Sequence, residues 1–179
     1  MSRQYVADLT VDPPSAALPT ITATTETVLV PILFTPIPAM EPKAGKVYKL
    51  TVSGTCTTGT AGTLIITPRF GVAIGGVALG TSPTQNYVPS ITLAPFVFEY
   101  WLQFRSIGIA AGANANVTGH GIWTSNGAVA TASSATTVVC SSTASVGVDT
   151  TVAGALWIGV TFSVAPSVIP HFAIWQSLN

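Results

Sequence analysis

The sequence predicts an all-β protein: an antiparallel β-sandwich of jelly-roll type with about eight strands, preceded by an extended, proline-rich N-terminal arm. Three observations predict it. Long runs alternate apolar and polar residues with a period of two, which places one face of each segment in a core. Seven of the thirteen prolines fall within residues 1–45, where they exclude helix interior. No stretch carries the apolar spacing and the acidic start and basic finish of an amphipathic helix.

Residues 1–24 form the predicted arm and residues 25–179 the sandwich domain. Pro13, Pro14 and Pro19 lie in the arm, and twenty extended residues span roughly 60 Å at about 3.3 Å each. Two readings stand, a floppy terminus or an arm lying along a neighbouring subunit with Tyr5, Val6, Leu9 and Val11 as apolar anchors. The first predicted strand covers residues 25–34. In residues 46–57, Tyr48, Leu50, Val52 and Cys56 point one way while Lys49, Thr51, Ser53 and Thr55 point the other. After the turn-rich 58–62, Leu64, Ile66 and Phe70 alternate with Thr63, Thr67 and Arg69, so the two runs read as a hairpin.

The clearest strand covers residues 91–107. Phe96, Phe98, Tyr100, Leu102 and Phe104 share one face; Val97, Glu99, Trp101, Gln103 and Arg105 share the other. At a period of 3.6 these aromatics would scatter around a cylinder, so the run is a strand. Residues 106–148 are free of charge and rich in Ala, Gly, Ser and Thr. A flexible linker would have that composition, but Ile122, Trp123 and Val129 within 117–130 and the β-branched run 136–142 favour two more strands. Within the apolar window 152–174, Pro166 and Pro170 break a spanning helix. It reads as two strands, 155–164 and 168–176, and no membrane partner is expected. A lipocalin-like barrel is the second architecture considered.

Charge narrows function. Lys and Arg total 6, Asp and Glu total 6, and charged residues are 7% of the chain, where about 25% is usual. Only Lys43, Lys46 and Lys49 approach a basic cluster, so no nucleic-acid partner is expected. A free monomer stays dispersed through surface charge, so a chain this poor in it is expected to share its surface with neighbours. The first eight residues lack the basic and apolar regions of a secretory signal, which points to synthesis in a cytoplasm. Cys56 and Cys140 are too few for a disulfide framework or a four-cysteine zinc site; they read as two small buried hydrophobes or, less simply, as one bridge.

Candidates for chemistry are few. Asp8, Asp12, Glu26 and Glu41 sit on or beside the proline-rich segment, which leaves Glu99, Asp149, His120 and His171. No Gly-x-Ser-x-Gly elbow, phosphate loop or His-x-His spacing accompanies them. The chain is therefore expected not to be an enzyme and to hold no cofactor or metal. His120 reads as structural or solvated, and His171 as a strand residue satisfied by a backbone partner. Trp101, Trp157 and Trp175 fall opposite the main apolar rows of their strands. Such residues meet a partner, fill a second buried face or stack on a sugar. With Arg105, which could pair with Glu99 to fix register at a subunit interface, they complete the candidate contacts.

The runs Val47-Tyr48-Lys49-Leu50-Thr51-Val52-Ser53-Gly54-Thr55, Gly62-Thr63-Leu64-Ile65-Ile66-Thr67-Pro68-Arg69-Phe70-Gly71 and Phe98-Glu99-Tyr100-Trp101-Leu102-Gln103-Phe104-Arg105-Ser106-Ile107-Gly108, with the run Ala173-Ile174-Trp175-Gln176-Ser177-Leu178-Asn179 at the last strand, resemble β-rich structural proteins of tailed bacteriophages. The resemblance covers about residues 25–179 and rests on pattern and composition. It implies a non-enzymatic virion protein assembled in the host cytoplasm. A head decoration (cement) protein that forms a homo-oligomer, a homotrimer by preference, on the major capsid protein is the leading expectation. Cyclic closure lets each subunit bury a patch without open-ended growth. A carbohydrate-binding module on a tail or spike is the alternative.

Overall fold

The computed structural model describes residues 18, 20–59, 61–71, 75–87, 91–126, 135–142 and 144–178. Tyr5, Val6, Leu9 and Val11 lie outside the described residues. Twelve strands occur among those described. In chain order they are β1 (Thr27–Val28), β2 (Pro36–Ile37), β3 (Val47–Thr58), β4 (Gly62–Gly71), β5 (Val77–Ala78), β6 (Gln85–Tyr87), β7 (Ile91–Ile107), β8 (Ala115–Asn126), β9 (Ala135–Ser141), β10 (Val146–Val148), β11 (Gly154–Phe162) and β12 (Pro166–Leu178).

The strands form two antiparallel sheets packed face to face as a β-sandwich. The long sheet has the order β12-β3-β7-β8-β10, with β9 also on β8. The short sheet has the order β1-β11-β4-β5, with β2 on β11 and β6 on β4. The sheets have separate strand memberships, so the lipocalin-like alternative does not form. Segments 47–71 and 154–178 run side by side: β3 pairs with β12 in one layer, β4 with β11 in the other, and each segment crosses between layers midway.

That pairing corrects the expected β3–β4 hairpin. Alternation sets which side chains face inward, and those assignments hold: Tyr48, Leu50, Val52, Cys56, Leu64, Ile66 and Phe70 are all buried. It does not set the neighbour, because each strand's hydrogen-bonding edges are filled by other strands. The strand expected over 25–34 also shortens. Pro31 has no N–H to continue a ladder, so β1 gives way to a 3-10 turn, Ile32–Phe34, closed by the Phe34 N–H on the Pro31 carbonyl at 2.9 Å. The sandwich starts earlier than residue 25, since Leu18 and Ile21 are core residues.

The inward rows meet in one aromatic-rich core. Phe96 stacks on Trp123 at 4.1 Å between centroids, and Tyr48 on Trp175 at 5.2 Å. Offset stacking of this kind adds about 0.5–1.5 kcal/mol per pair beyond area burial. No disulfide joins Cys56 and Cys140, and both are buried. Burial pushes the Cys140 thiol up to about 12. The Tyr100 hydroxyl is raised as well, first by burial and then by the neighbouring Cys140.

Candidate functional site

The two outer faces of the sandwich differ in how much of themselves they leave open. On the short sheet, Trp157 of β11 points outward yet is fully buried. Arg69, its cross-strand partner, places a guanidinium 5.4 Å from the indole centroid. Glu26 holds that guanidinium from two sides: Arg69 Nε donates to Oε1 at 2.9 Å and Nη2 to Oε2 at 2.8 Å. Arg69 Nη1 also donates to the Gly76 carbonyl at 3.3 Å. The Glu26 hydrogen bonds hold Arg69 still more firmly in its charged form. Gly159 permits the arrangement, because a Cβ there would run into the Glu26 carboxylate.

The long sheet presents the open face. Its register lines up three rows across five strands: Phe172, Ser53, Val97, Thr124 and Thr137; then Ile174, Thr51, Glu99, Ile122 and Val139; then Gln176, Lys49, Trp101, His120 and Ser141. Val97 is 45% exposed, Val139 43% and Phe172 41%, and Trp101 is half-buried near the middle. Within the rows the full charges are Lys49 and Glu99, which pair with each other at 2.5 Å. The Lys49 ammonium also stands 4.9 Å from the Trp101 centroid. At about 4.8 Å between strands and 3.3 Å per residue, the three rows cover roughly 19 Å by 13 Å.

Two candidate contacts leave the surface. Trp157 is covered as described, and Trp175 is 1% exposed, with its Nε1 donating to the Pro36 carbonyl at 3.3 Å. For Trp175 the cause is a β-bulge. The β12 register on β3 shifts between Pro170 and Phe172, with His171 as the extra residue. One inserted residue reverses the alternation, so Ala173 and Trp175 turn inward and Phe172 outward. Trp101 and Arg105 stay on the open face. Arg105 is the extra residue of a second bulge, between Phe104 and Ser106, and is exposed. Glu99 therefore pairs with Lys49 on the neighbouring strand, and no ion pair joins it to Arg105. The sequence gives no local signal that Ile122 and Val139 would sit opposite each other or that Phe172 would share their face; the register and the bulge bring this about.

Polar groups near this face are committed to one another. His120 Nδ1 lies 2.7 Å from Ser141 Oγ, and His171 Nε2 lies 3.1 Å from Thr55 Oγ1, a side-chain partner where a backbone one was expected. The histidines sit on β8 and β12 with β3 and β7 between them. Among the described residues no three of His, Cys, Asp and Glu converge. A shallow depression of about 340 Å³ lies beside Trp101, lined by Gln103, Thr118, His120, Ser141 and Ser142. An apolar cleft of about 370 Å³ opens at one end of the sandwich between Phe70, Val77, Val148 and Val152. Asp149 at its rim accepts hydrogen bonds from Thr151 and from the Gly112 N–H, which hold its carboxyl below the usual range. Among the described residues, the depression brings the Ser141 hydroxyl against the His120 imidazole with no carboxylate in its lining, and the apolar cleft has Asp149 as its one ionisable group. The chain matches no family model, no curated protein and no solved structure.

Proposed function

We propose that the chain is a virion structural protein, a capsid decoration (cement) subunit that forms a homo-oligomer, by preference a trimer, and binds the major capsid protein or another virion protein. One observation carries this reading: the open face of the long sheet, where Val97, Val139 and Phe172 are exposed on the same face as Trp101 and the ion pair in the rows is internally neutralised. Exposed apolar side chains set among uncharged polar ones, with so little net charge, suit burial against another protein surface. The paired course of 47–71 and 154–178 through both layers supports the jelly-roll form of sandwich. Cryo-EM of assembled particles tests the proposal. Density for the sandwich on the shell, with the long sheet facing a neighbour, is the expected result. A strict monomer by light scattering at micromolar concentration, together with absence from purified particles, rejects it.

The depression beside Trp101 favours a second reading, a carbohydrate-binding module. An indole edged by Gln103, Thr118 and His120 offers a stacking surface with hydrogen-bonding groups around it. The Lys49 ammonium already over the ring would have to give way to a sugar. A glycan array without hits removes this reading.

A further inference from the structure

The sheet edges of the sandwich are guarded unequally, and the exception is β9. Along the rims of both sheets, β1, β2 and β5 have two residues each and β6 and β10 three, too short to template another strand. β12 is long, but Pro166 and Pro170 lack N–H groups, His171 bulges, and Val168 is bridged to Ile21 at 2.8 and 3.0 Å. β9 has seven residues, Ala-Thr-Thr-Val-Val-Cys-Ser, with no proline, no charge and no bulge against β8. Edge strands are normally blunted by such features, and an uncharged, β-branched run without them is a template for pairing.

Register shows which groups are on offer. The Ser142 N–H donates to the Gly119 carbonyl at 2.9 Å and continues the β8–β9 ladder, so the even-numbered residues of β9 bond to β8. Thr137, Val139 and Ser141 therefore turn their N–H and C=O groups to the rim. Gly80 stands against the Ser141 carbonyl, where a Cβ would come within 2.7 Å of the oxygen, and Ser142 Oγ donates to the Leu79 carbonyl, so this end of the rim is closed. At Thr137 and Val139 no further partner occurs among the described residues, and both are exposed. We infer that β9 pairs antiparallel with β9 of a second copy across a two-fold axis, Thr137 of each chain opposite Val139 of the other.

The occupant follows from the strand's own sequence and position. Each Thr137–Val139 pair exchanges both of its N–H···O=C bonds, and the two-fold makes the pair twice. Ala135 then falls opposite the closed Ser141 end, where the ladder stops. Self-pairing sets each side chain near its own kind, which repels when the strand is charged; β9 carries no charge to repel. Thr137 and Val139 are both β-branched, the type that packs well across strands. Val139 also belongs to the open face. The pairing therefore runs the five strands β12-β3-β7-β8-β9 of each copy into one sheet of ten and joins two open faces into one surface. A contact of this kind closes on itself without open-ended growth. It rests on the homo-oligomer reading and gives it a defined contact, one that links two chains or two trimers alike.

Amide hydrogen exchange and sedimentation on the full chain test it, beside the variants Thr137→Pro and Val139→Pro, which each remove one rim N–H and leave the β8 ladder intact. In the unaltered chain the Thr137 and Val139 amides are expected to exchange about 5-fold more slowly at about 100 µM than at about 1 µM. In either variant the remaining rim amide loses that dependence, and the mass of the assembly falls by half. Slow exchange at the central Val52 and Phe98 amides reports that each chain is folded. An assembly that keeps its mass in both proline variants and dissolves in Val97→Lys overturns the inference and leaves the homo-oligomer reading standing. A chain that stays monomeric at the higher concentration, with both rim amides fast, overturns both.

Discussion

Trp157 and Trp101 occupy the two outer faces of the sandwich in matching settings, each with a cation over the indole and a carboxylate holding the cation. The outcomes differ. Arg69 reaches Glu26 through two parallel hydrogen bonds above Gly159, and with the Gly76 turn alongside, Trp157 is sealed. Lys49 offers a point charge on a flexible stem and leaves Trp101 half open. A planar fork over a glycine closes a face; a lysine beside threonines and valines does not. One outer face is thus closed over within the chain, while the other stays partly open.

Removing each tryptophan gives the sharpest contrast. Trp157→Ala is expected to lose about 3–5 kcal/mol of stability, the usual cost of emptying a large buried site. Trp101→Ala loses less than about 1 kcal/mol, because a partly exposed ring forfeits only part of its burial. Urea unfolding midpoints of the two variants measure the gap, and equal losses would erase the distinction between the faces.

The carboxylates extend the comparison with smaller effects. Glu26→Gln leaves Arg69 with weakened partners over a buried ring and is expected to cost about 1–2 kcal/mol. Glu99→Gln, in a more exposed pair, costs about 0–1 kcal/mol. A double-mutant cycle with Arg69→Ala and with Lys49→Ala isolates each pair's coupling.

Alkaline pH probes the core behind the open face. The Cys140 thiol, normally at 9.0, is pushed up to about 12 by burial. The unfolded thiol ionises first, so the unfolded state binds fewer protons across that window and stability falls as pH rises through it. Cys140→Ala is expected to flatten this slope between pH 9 and 11 in thermal melts, and an unchanged slope would show that other groups set it. The smallest expected effect on folding comes from Val97→Lys with Val139→Lys. Stability should move by less than about 0.5 kcal/mol, while the mass of any oligomer built through this face falls to that of one chain.

Much of the fold is legible in the residues. Phe96 to Phe104 alternate so cleanly that the bounds of β7 and its buried face follow from period alone, and Tyr48, Leu50 and Val52 do the same for β3. Partnership was less accessible. Nothing between Thr58 and Gly62 says whether the chain turns back within one sheet or crosses to the other, because turn chemistry is shared by both routes. The site was harder still. Alternation puts Trp101 and Arg105 on the outer face, but the same rule puts Trp175 outside, and one bulge residue, His171, reverses it. Trp157 does obey the rule and points outward; what the rule lacks is any account of Arg69 and Glu26, 43 residues apart, closing over it.

The central claim is that the outer face of the long sheet is a contact surface. Hydroxyl-radical footprinting of Trp101 and Phe172 across a concentration series, with mass measured on the same samples, tests it most directly. Both residues are expected to become protected as mass rises above that of one chain, while Ile109, exposed at the tip of another loop, reacts unchanged. A protein that stays monomeric at tens of micromolar, with Trp101 and Phe172 equally reactive throughout, would contradict it.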